Sequence, residues 1–501
     1  MAAADSLKSG LSEESGLDDN MYHDRTFGLY INGKWSWGTG TQKKPVLDPA
    51  TEQVIGHIPD ATAEDIDQAL ASAAAGFAAW RKVQPWERGD KLRQVSVLLR
   101  ERIEELMVVM STESGKPLAE SRGEWIAAAE QFEWYAEETK RIYGQIHDGR
   151  DAATRLSVIY QPVGVVAAFS AWNFPALLPS RKIAAALAAG CSVILKPAGE
   201  TPACAAAIVR ACHDAGIVPG AVNMVTGNSS RIAEQLIRSP IVRKVSLTGS
   251  TPVGKQLLHL CADGVKKATM ELGGHAPVLV FEDADVEAAA EACARAKFRN
   301  CGQVCASPSR FYVQGSAYEP FAKKFAEVAR SLTIGRFDQP GTDFGPLANS
   351  RGLEHTKRLV KDAVDRGANL LAGGKPPASH DRGYFFEPTV LGDVPDDAII
   401  MNEEPFAPIA PLSRFTDLDE VVMRANATPF GLTGYVFSRN LRTATLAAEA
   451  LEVGMVGVNE VAIASAEAPF GGIKESGMGR EGGSLGIKDY LEAKFIKTRL
   501  I

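Results

Sequence analysis

The stretch that decides the fold begins Val163-Gly164-Val165-Val166-Ala167-Ala168-Phe169 and continues through Ser192-Val193-Ile194-Leu195, Val222-Asn223-Met224-Val225 and Val242-Arg243-Lys244-Val245-Ser246-Leu247. Each is a short apolar run of strand length, and Ala-rich stretches of helical length lie between them. Strands alternating with helices are the pattern of a parallel sheet. A second alternating region starts at Ala276-Pro277-Val278-Leu279-Val280 and reaches about residue 450 through helices such as Tyr318–Leu332. The chain therefore reads as α/β, with two parallel-sheet domains.

Upstream, Thr62 and Asp65 have capping-box spacing, and Ile66, Leu70, Ala73, Phe77 and Trp80 follow at helical intervals. Leu92, Val95, Leu99, Ile103 and Leu106 repeat that stripe, so these helices read as scaffold laying one face on a core. Residues 1–27 are rich in Ser, Asp, Glu and Gly without apolar periodicity, and predict a solvated tail.

With 501 residues the chain has room for more than one domain, and 45% hydrophobic with 23% charged residues is an ordinary globular balance. Fifty-four Lys and Arg against 61 Asp and Glu give a net charge of −7 without a polybasic block, which argues against nucleic acid as a partner. The longest strongly apolar run, Ile183 to Leu195, is interrupted by Gly190-Cys191-Ser192 and falls short of the ~20 residues that span a bilayer, so no membrane association is expected. The start Met1-Ala2-Ala3-Ala4-Asp5 lacks the basic and apolar regions of a secretory signal, and seven cysteines without a Cys-x-x-Cys pair suit reduced thiols. A cytoplasmic protein without a structural metal is the expectation.

Several segments could carry chemistry. Leu247-Thr248-Gly249-Ser250-Thr251 joins a strand to a helix, where backbone N–H groups and the helix dipole suit a pyrophosphate. Lys196 ends a strand at the carboxyl edge, where α/β sheets bind ligands. Cys305, in Asn300-Cys301-Gly302-Gln303-Val304-Cys305, is a thiol beside a glycine that permits close approach. Glu271 precedes Leu272-Gly273-Gly274, and Asn173 lies in Ala171-Trp172-Asn173-Phe174-Pro175. Each alone also fits a packing, surface or turn role. Gly482-Gly483-Ser484-Leu485-Gly486 matches a hydrolase elbow, but that chemistry needs a later histidine and the last one is His380.

Together, Trp172-Asn173-Phe174-Pro175, Lys196-Pro197, Thr248-Gly249-Ser250-Thr251, Glu271-Leu272-Gly273-Gly274, Gly302-Gln303-Val304-Cys305, Glu404-Pro405-Phe406 and Pro469-Phe470-Gly471-Gly472 stand in the order seen in the aldehyde dehydrogenase superfamily, which the chain resembles over nearly its whole length after the tail. Phe298-Arg299-Asn300, the run Ala468 to Gly477 and the ending Gly486 to Glu492 are similar to the succinate-semialdehyde dehydrogenase branch. The chain departs from the family at Ala171, where members carry Pro, and at Ala407, where they carry Gly, which bears on local loop geometry.

The resemblance implies two Rossmann-like domains: an NAD(P)-binding one from 28–148 and 161–279, and a catalytic one from 280–466. Residues 149–160 and 467–501 would form an arm that assembles a homodimer or homotetramer. It implies Cys305 as nucleophile, Asn173 with the Cys305 N–H as oxyanion donors, and Glu271 as the base that activates water against a thioester. A free thiol is mostly protonated at neutral pH, so local activation of Cys305 is expected.

The resemblance further gives Trp172, Lys196, Gly199, Gly249, Ser250, Glu404 and Phe406 to the cofactor. NAD-specific members carry Glu where this chain has Gly199, which favours NADP over NAD, although the adjacent Glu200 could substitute. Arg181, Arg299 and Ser465 match residues that grip the far carboxylate of the substrate, implying a short ω-anionic aldehyde with succinate semialdehyde first. A broad-specificity aldehyde dehydrogenase, a CoA-acylating enzyme and a non-catalytic relative are the competing readings.

Overall fold

The computed structural model describes residues 28–500, and the tail expected over residues 1–27 lies outside them. Two sheets organise the chain. The first runs from edge to edge as Gly477–Met478, Lys267–Glu271, Val242–Thr248, Val165–Phe169, Ser192–Lys196, Val222–Met224, Leu29–Ile31 and Lys34–Ser36. The strands from Lys267–Glu271 to Val222–Met224 are mutually parallel, and antiparallel strands close both margins. Parallel neighbours need crossovers, which the helices Leu177–Ala189, Pro202–Asp214, Ser229–Arg238 and Thr251–Asp263 supply. The decisive runs of sequence are thus strands of one sheet, buried on both faces.

Chain direction reverses at the centre of this sheet. Successive strands step outward from Val165–Phe169 through Ser192–Lys196 to Val222–Met224, and the chain then returns to lay Val242–Thr248 on the other side of Val165–Phe169. Such a reversal opens a crevice beyond the carboxyl ends of the two central strands. The segments that follow those ends are Trp172-Asn173 and Gly249-Ser250.

The second sheet runs Asn369–Ala372, Thr389–Gly392, Ile409–Phe415, Pro308–Gln314, Ala276–Val280, Thr433–Phe437 and Met455–Val458, parallel except at its first edge. Ala276–Val280, which straddles the boundary expected at 279/280, pairs only within this sheet. A third, antiparallel sheet joins Leu491–Arg499 to Thr154–Pro162 and that strand to Gln145–Asp148, leaving Tyr143, Ile146 and Phe495 exposed.

Local signals behave as their chemistry requires. Thr62 and Asp65 form a reciprocal capping box on the helix Ala63–Trp80, which buries Ile66, Leu70, Ala73 and Trp80. The stripe from Leu92 to Leu106 is split between Pro85–Glu101 and Ile103–Ser114, with a break at Arg102 (φ −94°, ψ 7°). Both pieces pack on the long helix Leu118–Glu138, and the break lets each apply its apolar face to it.

The sheets meet at the crossover Leu272-Gly273-Gly274-His275, where a Cβ on Gly274 would lie 2.5 Å from the carbonyl oxygen of Cys305. At Gly199 an added Cβ would meet nothing within 4 Å. Gly274→Ala is expected to unfold at a clearly lower temperature than Gly199→Ala, which should track the unmodified protein. Equal midpoints in a thermal melt would show that the crossover is not closely packed.

Candidate active site

Residues from both sheets converge on one cavity of about 280 Å³. Trp172 and Asn173 reach it from beyond Phe169, Thr248, Gly249 and Ser250 from the next central strand, Glu271 from the end of Lys267–Glu271, and Cys305, Glu404 and Phe406 from the second domain. Ser250 precedes the helix Thr251–Asp263 without capping it, so its hydroxyl and the first amides stay available to a ligand. The buried Thr248 Oγ1 has no partner among the described residues. Glu404 Oε1 accepts the Gly274 N–H at 3.0 Å, and the Trp172 and Phe406 rings meet edge to face at 5.5 Å. Phe406 holds this pose at φ +42°, a costly conformation for a bulky residue. The edge contact is intact beside both departures, Ala171 and Ala407. An uncapped helix start, an orphaned hydroxyl and a facing carboxylate fit a dinucleotide.

Lys196 and Gly199 lie further along the same sheet edge. Lys196 is buried, donates to Ser229 Oγ at 2.6 Å, and is lowered to about 8, first by burial and then by the charge of nearby Lys44, with Glu200 opposing. Gly199 is exposed, with open space where a side chain would project. Glu200 turns toward Arg351, with 3.5 Å between charged groups.

On the other side of Cys305 lies a second cavity of about 170 Å³. Phe174, Leu177, Val304, Ile463 and Phe470 give it an apolar wall, and Arg181 and Arg299 are its cations. The two arginines differ. Arg181 is 3% exposed, lies 4.3 Å over the Phe470 ring, and its Nε has no hydrogen-bond partner among the described residues. Arg299 is exposed and stacks on Phe174 at 5.2 Å, and its charge lowers the nearby Glu120 carboxyl against the raising effect of burial. Ser465 is half-buried and lines neither cavity, although Val461 to Ala464 line the second.

Burial sets the protonation of the site. Glu271 is pushed up to about 8 by desolvation and then by the Glu481 charge, against the lowering effect of Arg181 and Lys182, and neither carboxyl oxygen has a partner among the described residues. Glu404 is raised to about 7 by burial, against the Gly274 hydrogen bond and Lys297. Cys305 is pushed well up by burial and by Glu271 and Glu404. These surroundings favour the protonated thiol, first through burial and then through the two acids, with Arg181 opposing them.

Sequence reasoning did not find Lys182 and Glu481, a fully buried ion pair beneath Glu271 that Ser246 completes at 3.2 Å from Lys182 Nζ. Two adjacent cations, Arg181-Lys182, in an otherwise apolar helix were the available signal. Glu481, about 300 residues away, left none.

A cysteine at the junction of two parallel-sheet domains, with a dinucleotide-type crevice on one side, is the arrangement of an α/β oxidoreductase. Residues 35–496 match the aldehyde dehydrogenase family, and the chain belongs to it. It is 46% identical over 467 residues to a glutarate-semialdehyde dehydrogenase of Pseudomonas putida, covering 93% of this chain and 96% of that one. It is 43% identical over 480 residues to an NADP(+) succinate-semialdehyde dehydrogenase of Escherichia coli, covering 96% and 98%. The crystal structure of an NADP-dependent Escherichia coli enzyme superposes with a TM-score of 0.94 at 42% identity, covering 96% of this chain and 99% of that chain. Among the described residues no group of three or more His, Cys, Asp or Glu could hold a metal, and no helix is long and apolar enough to cross a membrane.

A carboxyl group raised to about 8 acts as a base only when ionised. The rate of the base-dependent step should rise nearly tenfold per pH unit between about 6 and 7.5 and level off above about 8, and Glu271→Gln should lose that limb. A steady-state pH profile flat across this range in the unmodified enzyme would remove Glu271 from the step.

Proposed function

We propose that this chain oxidises a short ω-anionic aldehyde to the carboxylic acid, with succinate semialdehyde first and its one-carbon-longer homologue next. The observation that carries the reading is the position of Cys305 between the dinucleotide-type cavity and the arginine-bearing one. The aldehyde carbon rests at the sulfur while its far carboxylate pairs with Arg181 and, nearer the mouth, with Arg299. Relatives named for succinate and glutarate semialdehydes support this substrate class.

Cys305 attacks the carbonyl as its proton passes to a nearby base, giving a thiohemiacetal. The Asn173 amide and the Cys305 N–H donate to the oxygen that becomes negative. A bound nicotinamide cofactor supplies the two-electron oxidant. The carbon on Cys305 then stands as a thioester, Glu271 takes a proton from water, and attack of that water releases the acid and the thiol. Thr248-Gly249-Ser250 and Trp172 hold the cofactor's phosphates and adjoining groups, and Glu404 with Phe406 holds the nicotinamide end. Lys196 with Ser229 receives the adenosine ribose, where Gly199 leaves room for a 2′-phosphate. Glu200 is drawn toward Arg351, and the open space at Gly199 supports NADP as the preferred cofactor.

The first sheet with its helices forms the cofactor domain and the second the catalytic domain. The three-stranded arm, with Tyr143, Ile146 and Phe495 exposed, suits assembly into a homodimer or homotetramer. Seven free cysteines suit the cytoplasm.

An aldehyde panel run with both cofactors tests the reading. Succinate or glutarate semialdehyde with NADP should give the highest kcat/KM, and an NAD preference above tenfold would overturn the cofactor assignment. Loss of a buried charge partner costs ~2–5 kcal/mol, or about 30- to several thousand-fold. Arg181→Ala should fall in that range on succinate semialdehyde and change little on butanal, while the exposed Arg299→Ala should lose less. Equal losses on charged and neutral aldehydes would end the carboxylate-clamp assignment.

A further inference from the structure

We propose that Asn300 is a positioning residue that aligns the two halves of the oxyanion hole. This rests on the reading above, in which Asn173 and the Cys305 N–H stabilise the developing negative charge. Asn173 belongs to the first domain, following Phe169, whereas Cys305 sits in the loop before Pro308–Gln314 of the second. Some non-covalent tie must fix one donor relative to the other to a fraction of an ångström.

Asn300 supplies that tie. Its Nδ2 donates to the backbone oxygen of Asn173 at 2.9 Å and to that of Gln303 at 3.1 Å, so one buried carboxamide holds both loops. The Asn173 Nδ2 donates to the same Gln303 oxygen at 3.1 Å. Gln303 returns the contact, its Nε2 donating to the Asn300 oxygen at 3.0 Å while its Oε1 accepts the Ala348 N–H. From the other side, Glu120 Oε2 accepts the Asn300 N–H at 2.9 Å. Glu120 stands on the helix Leu118–Glu138, which packs on the helix that follows Asn173, so the brace comes from the first domain.

The residue type is constrained twice. Asn300, Cys301 and Gly302 stand at φ +49°, +55° and +72°, a left-handed run that asparagine tolerates better than most residues with a side chain. The two amide hydrogens then reach two carbonyls that belong to different domains. Aspartate would tolerate the backbone but present lone pairs to both oxygens, and glycine would tolerate it with no tie at all.

A double-mutant cycle separates positioning from general stabilisation. Asn300→Gly keeps the backbone conformation open and removes the tie. The single-turnover burst of reduced cofactor should slow 10- to 100-fold, with the cofactor Kd unchanged within twofold. Asn300→Asp should behave alike, and serves if Asn300→Gly fails to fold. Because Asn300 acts through Asn173, the double variant Asn173→Ala/Asn300→Gly should be no more than threefold slower than Asn173→Ala. Glu120→Gln retains an acceptor and should keep most of the burst rate that Glu120→Ala loses. A burst within threefold of the unmodified enzyme for Asn300→Gly and Asn300→Asp, or losses that multiply in the double variant, would overturn the proposal. A full burst in Asn173→Ala would instead overturn the oxyanion reading on which it rests.

Discussion

The constraint on which the site depends is the lack of space at the crossover between the two sheets. A Cβ on Gly273 would lie 2.4 Å from Glu404 Oε2, and one on Gly274 would lie 2.5 Å from the Cys305 carbonyl oxygen. Bare backbone at both positions lets groups from two domains close on one point. Glu271 ends a strand in the first sheet, Ala276 begins a strand of the second, and the four-residue connection between them has no slack. Cys305 and the Glu404 carboxylate therefore pack directly against the chain that carries Glu271. The Glu404 carboxyl also takes its hydrogen bond from the Gly274 N–H, so the crossover both makes room for it and holds it.

That closeness has an electrostatic consequence. A thiol and two carboxyls in one buried cavity cannot all ionise cheaply, and desolvation raises all three. Raised proton affinity, more than ion pairing, is what burial imposes on these three groups. The Lys182–Glu481 pair lies next to it, where Glu481 raises Glu271 and Lys182 lowers it, so the two partly cancel. A carboxylate near 8 is more basic than a surface glutamate by several powers of ten and is mostly protonated at neutral pH.

What the sequence made legible was local or in register. Thr62 with Asp65 capped a helix as written, and the apolar runs from Val165 to Leu247 became central strands because both their faces are covered. The motifs at Asn173, Gly249, Glu271, Cys305 and Glu404 met in one cavity, since each follows a strand end or a tight connection whose position the fold sets. Less legible were properties that depend on three-dimensional surroundings. Arg181 and Arg299 look equivalent in the chain, yet one is buried and the other open to water. The proton affinity of Cys305 is set first by burial and then by Glu271 and Glu404, which come from distant segments. Glu481 reached Lys182 from the C-terminal segment, and Glu120 reached Asn300 across 180 residues, separations over which no periodicity carries information.

The buried arginine connects substrate choice to acid–base chemistry. Arg181 lowers the proton affinity of both Cys305 and Glu271, and it lies in the cavity proposed to take the far carboxylate. Pairing that guanidinium with an anion offsets its field at the other two groups. On the proposed reading an anionic substrate therefore raises the proton affinity of both Glu271 and Cys305, so that fewer of them are ionised at neutral pH. A neutral aldehyde leaves the field uncompensated and Glu271 weaker. On the proposed reading, then, the substrate's charge has two opposed effects at neutral pH, the ion pair itself and a smaller ionised fraction of the group that must later activate water. The exposed Arg299, whose charge water already screens, contributes to the first of these far more than to the second.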